Sequence, residues 1–157
     1  MSYCLRGSEE PVITEDRLGM DVINPNKYKI LLVDDYPAVR RMIKEIIEAQ
    51  PDLQVVGELN DGLELLKYLE KFPANLVILD ISMPNLGGFE ATLRIKEKYP
   101  EVKVLILTIH KYKEYVQRAR ALGAEGYLLK EAVDEQLLSA INSLKQGGTF
   151  FSPRLSI

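Results

Sequence analysis

Four short apolar runs in this chain each lead into residues that can do chemistry. Tyr28–Val33 runs into Asp34 and Asp35, Leu76–Leu79 into Asp80, residues 102–107 into Thr108, and Gly126–Leu129 into Lys130. Near-continuous apolar runs of this length read as β-strands covered on both faces. If the strands are parallel, their carboxyl ends share one edge, and carboxylates, a hydroxyl and an ammonium converge on one crevice. Adjacent carboxylates repel, so at least one should have a raised pKa unless a cation intervenes. An oxygen-only donor set favours a hard divalent ion. Mg²⁺ takes one or two carboxylates, keeps several waters and holds phosphate oxygens with the rest. A lysine and a hydroxyl opposite the metal complete a clamp on a tetrahedral dianion. With no Ser–His–Asp set available, the candidate nucleophile is a carboxylate, which can form an acyl phosphate. Phosphoryl transfer needs mainly in-line positioning and charge neutralisation, and this constellation offers both.

Taken singly, each residue has a plainer explanation. Asp35 could cap the next helix. Asp80 could be an exposed turn acid, because Ile81, Ser82, Met83 and Pro84 follow it and no helix starts at once. Thr108 alone is a strand-end residue, and Lys130 alone a solvated lysine. Four complementary groups at equivalent ends of four strands are what favour a site. The run Leu53–Leu59 is the exception; it leads to Asp61, read here as a helix cap. His110, the one histidine, reads as an exposed loop residue, since it lacks the partners a metal ligand needs.

The elements that must position these groups alternate. Five strands (Tyr28–Val33, Leu53–Leu59, Leu76–Leu79, 102–107 and Gly126–Leu129) are separated by helical patterns. The helices read as residues 37–50, a segment after Asp61 facing inward through Leu63, Leu66 and Leu69, then 88–99, 111–122 and 133–146. Pro37 suits a first helical turn and Gly123 a helix end. Right-handed crossovers then give a doubly wound α/β domain with a parallel sheet, whose ligands bind beyond the carboxyl ends of the strands.

The 157 residues hold one such domain, 28–146, with a flexible arm or linker expected over 1–27 and a further linker over 147–157. Twenty Lys and Arg against twenty-three Asp and Glu give −3, which disfavours non-specific nucleic-acid binding by these residues. The apolar runs are too short for a membrane span. The acidic N-terminal stretch does not read as a signal peptide, and the single cysteine, Cys4, cannot form an internal disulfide. These features point to a cytoplasmic setting.

The segments LLVDDYPAVR, LVILDISMPNLGGFE, VLILTIHKY and GAEGYLLKEAV resemble the receiver domain of two-component response regulators over about residues 28–146. The resemblance implies the flavodoxin-like strand order 2-1-3-4-5. It implies Asp80 as phosphoacceptor from a sensor histidine kinase. Asp35 would be a Mg²⁺ ligand with Asp34 assisting, and Ser82 would offer its backbone carbonyl. Thr108 would be the switch hydroxyl, Lys130 the phosphate-pairing lysine and Tyr127 the rotating aromatic. Phosphorylation and dephosphorylation would be self-catalysed rather than enzymatic turnover. The stretch from Gly123 onward is similar to NarL/LuxR-type receivers, whose tail leads to a helix-turn-helix DNA-binding domain. Such an effector is absent from this chain, so DNA binding is implied only for a missing part, and a homodimer through the 111–146 face is a further expectation. The chain departs from the common pattern at Ile109 after the switch Thr, which would narrow access to the phosphoryl group. It departs again at Glu131, where a proline is common, so no cis bond is expected there.

Three rivals are weaker. A haloacid-dehalogenase-like phosphohydrolase needs a second Asp two residues after its nucleophile, where Ser82 follows Asp80 and Tyr36 follows Asp34. A degenerate receiver acting only as an interaction module would not need the complete residue set. A nucleotide-binding flavodoxin-like protein would show a Gly-rich loop after the first strand.

Overall fold

The computed structural model describes residues 12–13 and 22–152. Its main sheet has strands β1 (Tyr28–Val33), β2 (Leu53–Leu59), β3 (Leu76–Leu79), β4 (Lys103–Thr108), β5 (Gly126–Leu129) and β6 (Phe150–Phe151). Helices α1 (Pro37–Glu48), α2 (Gly62–Lys71), α3 (Gly88–Lys98), α4 (Lys113–Leu122) and α5 (Val133–Lys145) connect them. The strand order is β2-β1-β3-β4-β5-β6, all parallel. The five expected strands stand in the expected order, and a sixth is added at the β5 edge.

Side chains alternate across a strand, so each apolar run divides between two cores. Leu31, Val33, Val77 and Leu79 pack on one face with α2, α3 and α4. Ile30, Leu32, Leu76 and Ile78 pack on the other with α1 and α5. Burial on both faces explains why the runs carry no polar alternation.

Helix ends follow their local chemistry. Asp61 caps α2 by accepting from the Glu64 N–H at 2.9 Å, as expected. Pro37 stands in the first turn of α1, which has no side-chain cap, so Asp35 is not a capping residue. Gly123 closes α4 at φ 97°, a left-handed position that suits glycine. The α2 face differs from expectation: Leu65, Tyr68 and Leu69 are buried, Leu66 is half-buried, and Leu63 is exposed in the first turn. α4 starts at Lys113, two residues later than its pattern suggests, which lengthens the loop after Thr108.

Two short pieces lie in the segments expected to be linkers. Val12–Ile13 pairs antiparallel with Val22–Ile23, and the other residues of 1–21 lie outside the described residues. Phe150–Phe151 pairs with Gly126 and Tyr127 of β5. Arg120 of α4 lies over the Phe151 ring at 3.7 Å, and the Ser152 N–H donates to the Tyr127 carbonyl at 2.9 Å.

Candidate functional site

Strand register decides which side chains meet. Val33 lies opposite Leu79 and Thr108 opposite Leu129. The next residues, Asp34 and Asp80, are therefore neighbours on adjacent strands, and Lys130 emerges beside Thr108. The Asp80 N–H donates to the Val33 carbonyl at 3.1 Å, and the Asp34 N–H to Leu59 at 3.1 Å. Both acids are thus fixed by the sheet rather than by a mobile loop.

Both are also buried, at 4% exposure for Asp34 and 6% for Asp80. Lys130 supplies the countercharge, its Nζ 2.9 Å from Asp34 Oδ2 and 3.6 Å from Asp80 Oδ2. It is therefore a paired lysine rather than a solvated one. Asp35 is exposed, yet one oxygen from each of Asp34, Asp35 and Asp80 falls within a 4.8 Å cluster. Burial, reinforced by the Asp34 charge, raises the Asp80 carboxyl, while Lys130 and the Ile81 N–H oppose the rise. For Lys130, burial works against the charged form, but the bond it donates to Asp34 and the charges of both acids outweigh it and raise its pKa.

The remaining oxygens are held locally. Asp34 Oδ1 accepts from the Tyr36 N–H at 2.9 Å and Asp80 Oδ1 from the Ile81 N–H at 2.9 Å. The chain then turns away from β3 through residues 81–87 and enters α3 at Gly88. A Cβ at Gly88 would meet the Asp80 carbonyl oxygen at 2.3 Å, so only glycine lets α3 begin this close to the acid. Ser82, on that loop, is exposed.

Thr108 is fully buried, and its Oγ1 accepts from the His110 N–H at 3.2 Å. Tyr127 is fully buried too, and its hydroxyl donates to the His110 carbonyl at 2.7 Å. Burial, with smaller contributions from the Tyr115 and Asp80 charges, pushes its phenol up. His110 is thus gripped by its backbone from both sides. Its ring is half-buried against Tyr112 (6.0 Å) and Tyr115 (5.2 Å), which corrects the expectation of a free loop histidine. Ile109 points outward at 69% exposure, so its bulk is directed to solvent.

Sequence reasoning missed two residues. Arg40 donates to the Asp34 carbonyl, and also to Asn60 Oδ1 at 3.0 Å and Glu58 Oε1 at 3.4 Å. It ties the end of β1 to β2 and the first turn of α1. Its place six residues after Asp34, on the helix that follows, was the available signal. Tyr36 sets its ring 5.8 Å from Lys130 Nζ, and nothing in its spacing marked it.

A buried acid pair bridged by an ammonium, with a third carboxylate at the rim, can gather a hard cation and present a carboxylate oxygen to an electrophile. Known proteins share the arrangement's scaffold. Residues 30–142 match the family described as the response regulator receiver domain. The chain is 37% identical over 134 residues to the transcriptional regulatory protein DegU of Brevibacillus brevis, covering 85% of this chain and 57% of DegU. The chain therefore spans little more than half of that relative. A LuxR-family two-component response regulator from Aurantimonas sp. SI85-9A1 superposes with TM-score 0.76 at 34% identity, over 81% of this chain and 91% of the other. The isolated receiver domain of RcsB from Salmonella enterica serovar Typhimurium, solved with phosphomimetic BeF3-, gives TM-score 0.77 at 28% identity, over 82% and 95%. No helix among the described residues is long and apolar enough to cross a membrane. The chain belongs to the response regulator receiver domain family, of the NarL/LuxR type.

Proposed function

We propose that this chain accepts a phosphoryl group on Asp80 from a sensor histidine kinase and uses it to switch the face made by residues 111–146. The observation that carries the reading is the pair of buried acids on adjacent strand ends sharing one lysine. A static ion pair would need one acid; the second is left with an incomplete countercharge, which suits a group that gains and loses charge.

The donor set fits Mg²⁺, being all oxygen with three carboxylates within reach of one ion. Asp35, Asp80 and the Ser82 carbonyl would hold it, with Asp34 assisting. When bound, the ion supplies charge neutralisation for the phosphoryl oxygens. The chain's own groups do the rest. An Asp80 carboxylate oxygen attacks phosphorus in line as the phosphorus–nitrogen bond of the phosphohistidine breaks, and the electron pair stays on the imidazole. The Ile81 N–H keeps the carboxylate oriented. Lys130 turns its ammonium from the two acids to the new dianion. Thr108 gives up its bond from the His110 N–H and donates to a phosphoryl oxygen.

Tyr127 is the reporter of that change. In this structure it is already buried and bonded to His110, so the loop between β4 and α4 stands tied to β5. Moving a population from 1:99 to 99:1 takes ~5.5 kcal/mol. The new bonds from Lys130 and Thr108, at ~1.5–3 kcal/mol each before the loss of their present bonds to Asp34 and His110, supply part of it. The output passes to a DNA-binding effector domain, in keeping with the similarity to DegU, a transcriptional regulatory protein, and a homodimer through the 111–146 face accompanies it. Because β6 lies along β5, the helices α4 and α5 and not the strand edge are the part of that face open to a partner. A cytoplasmic setting goes with this role.

The test is the intact mass of the chain after incubation with acetyl phosphate, with and without Mg²⁺, beside Asp80→Asn. One phosphoryl adduct that needs both Mg²⁺ and Asp80 is expected. No adduct, under conditions that label another receiver, would leave an interaction module instead.

A further inference from the structure

Residues 81–87 hold the tightest backbone turn near the site. The Leu86 N–H donates to the Pro84 carbonyl at 2.6 Å, only two residues back. Asn85, between them, has φ 65° and is the one non-glycine residue with positive φ among the described residues. Three-residue turns with a positive central φ are rare and strained. Such a turn persists only where surrounding contacts impose it.

Those contacts come from the start of α2. Asn85 Nδ2 donates to Asp61 Oδ2 at 2.6 Å. The Gly62 N–H donates to the Leu86 carbonyl at 3.0 Å. Asp61 is 24 residues from Asn85 in the chain and is 6% exposed. Its Oδ1 caps α2 by accepting from the Glu64 N–H. Burial pushes its carboxyl up, but the Glu64 N–H and the Asn85 amide outweigh this and hold it below the ordinary value. Serine, threonine or asparagine would cap the helix as well. What the carboxylate adds is a second acceptor, and that acceptor is aimed at the strained turn.

We propose that Asp61 is a positioning residue that, through Asn85, holds residues 81–87 in the shape that presents Ser82 beside Asp80. This inference rests on the reading of Asp80 and Ser82 given above. The turn is anchored at its near end by the Gly88 N–H on the Ile81 carbonyl at 2.9 Å. The Asp61 tether fixes its far end. Ser82 lies between the two anchors, so its carbonyl direction follows from both.

The chemistry allows a clean separation of capping from tethering. In Asp61→Ser the hydroxyl keeps the cap but is too short to reach the Asn85 amide. Asn85→Asp alone sets carboxylate against carboxylate. The double variant Asp61→Asn with Asn85→Asp restores one bond with donor and acceptor exchanged. Asn85→Gly removes the tether and the strain together.

The experiment uses the full 157-residue chain and two readouts: amide hydrogen exchange of residues 81–88, and affinity for Mg²⁺ alone by titration calorimetry. Asp61→Ser and Asn85→Asp are expected to speed exchange at Leu86 and Gly88 and to weaken Mg²⁺ binding by about tenfold, the range typical of residues that orient metal ligands. The double variant is expected to recover both. Asn85→Gly is expected to speed exchange as well. Wild-type exchange and affinity in Asp61→Ser, or a double variant no better than Asn85→Asp alone, would overturn the proposal and leave the site reading intact. A wild-type chain that binds no Mg²⁺ would overturn the site reading, and this role with it. Exchange in Asp61→Ser would then show whether the tether itself exists.

Discussion

Replacing Lys130 with methionine removes the cation placed between two buried acids. The side chains of Asp34 and Asp80 are 6% and 8% exposed, and that of Lys130 is 17% exposed. Breaking a buried pair by deleting one partner costs ~3–5 kcal/mol. Here Asp80 escapes part of that cost by taking up a proton, so about 2–3 kcal/mol is expected near neutral pH. For a domain of this size that is a fall in Tm of roughly 5–10 °C. The sign of the pH dependence follows from Asp80. Its folded pKa already stands above the ordinary 3.8, and losing Lys130 raises it further. The folded variant then holds a proton that the unfolded chain has released, so stability falls as pH rises from about 3.8 through the raised value. The deficit relative to wild type is therefore largest at neutral pH and shrinks toward pH 4. At the alkaline end the raised Lys130 pKa has the same sign: the contribution of the wild-type pair is lost as pH rises above 10.5. Thermal melts at pH 7 and pH 4.5, in chelator and in Mg²⁺, measure the deficit and its acid-side dependence. Mg²⁺ at a hundredfold excess over its Kd would return ~2.7 kcal/mol. Equal stability of variant and wild type at pH 7, or a deficit that grows on acidification, would refute the reasoning.

Four further outcomes follow from particular contacts. Tyr127→Phe deletes the bond to the His110 carbonyl; a cost of about 1–2 kcal/mol in urea unfolding is expected, with faster amide exchange through residues 109–112. Gly88→Ala forces a methyl against the Asp80 carbonyl, so a loss of about 1–3 kcal/mol is expected together with weakened Mg²⁺ binding by calorimetry. Tyr28, raised to about 12 by burial and by the Glu125 charge, and Tyr127, raised further, stay protonated when the unfolded chain ionises; stability should fall as pH rises above 10, and phenolate absorbance should show these two groups appearing only with unfolding. Phe151→Ala removes the ring under Arg120, and its expected mark is faster exchange at Phe150 and Ser152 with α4 and β5 otherwise unchanged.

Much of the fold was legible because burial on both faces leaves its mark on β1, β3, β4 and β5. A run such as Leu76–Leu79 has no polar residue until Asp80, and the same break marks Asp34, Thr108 and Lys130. Parallel pairing then forces those breaks onto one edge. What stayed hidden depends on contacts distant in sequence. Asp61 shows a cap signal locally, but its bond to Asn85 spans two loops. β6 has only two residues, Phe150 and Phe151, too few for a strand pattern. Its pairing is decided by the open edge of β5 and by Arg120. Leu63 has the right type for the α2 core but falls in the first turn, where Leu65 and Tyr68 reach the sheet and it does not. His110 looked isolated because the rings around it, Tyr112 and Tyr115, are assembled by the turn into α4.

The proposed phosphoacceptor is one carboxylate among three. Asp34, Asp35 and Asp80 lie close enough that a mass shift alone does not separate them. Treating the chain with acetyl phosphate and Mg²⁺, reducing with borohydride and mapping the peptides does so, because an acyl phosphate is reduced to an alcohol and its aspartate becomes homoserine. Homoserine is expected at position 80 alone. Homoserine at position 34 or 35, or none while another receiver is converted alongside, would contradict it.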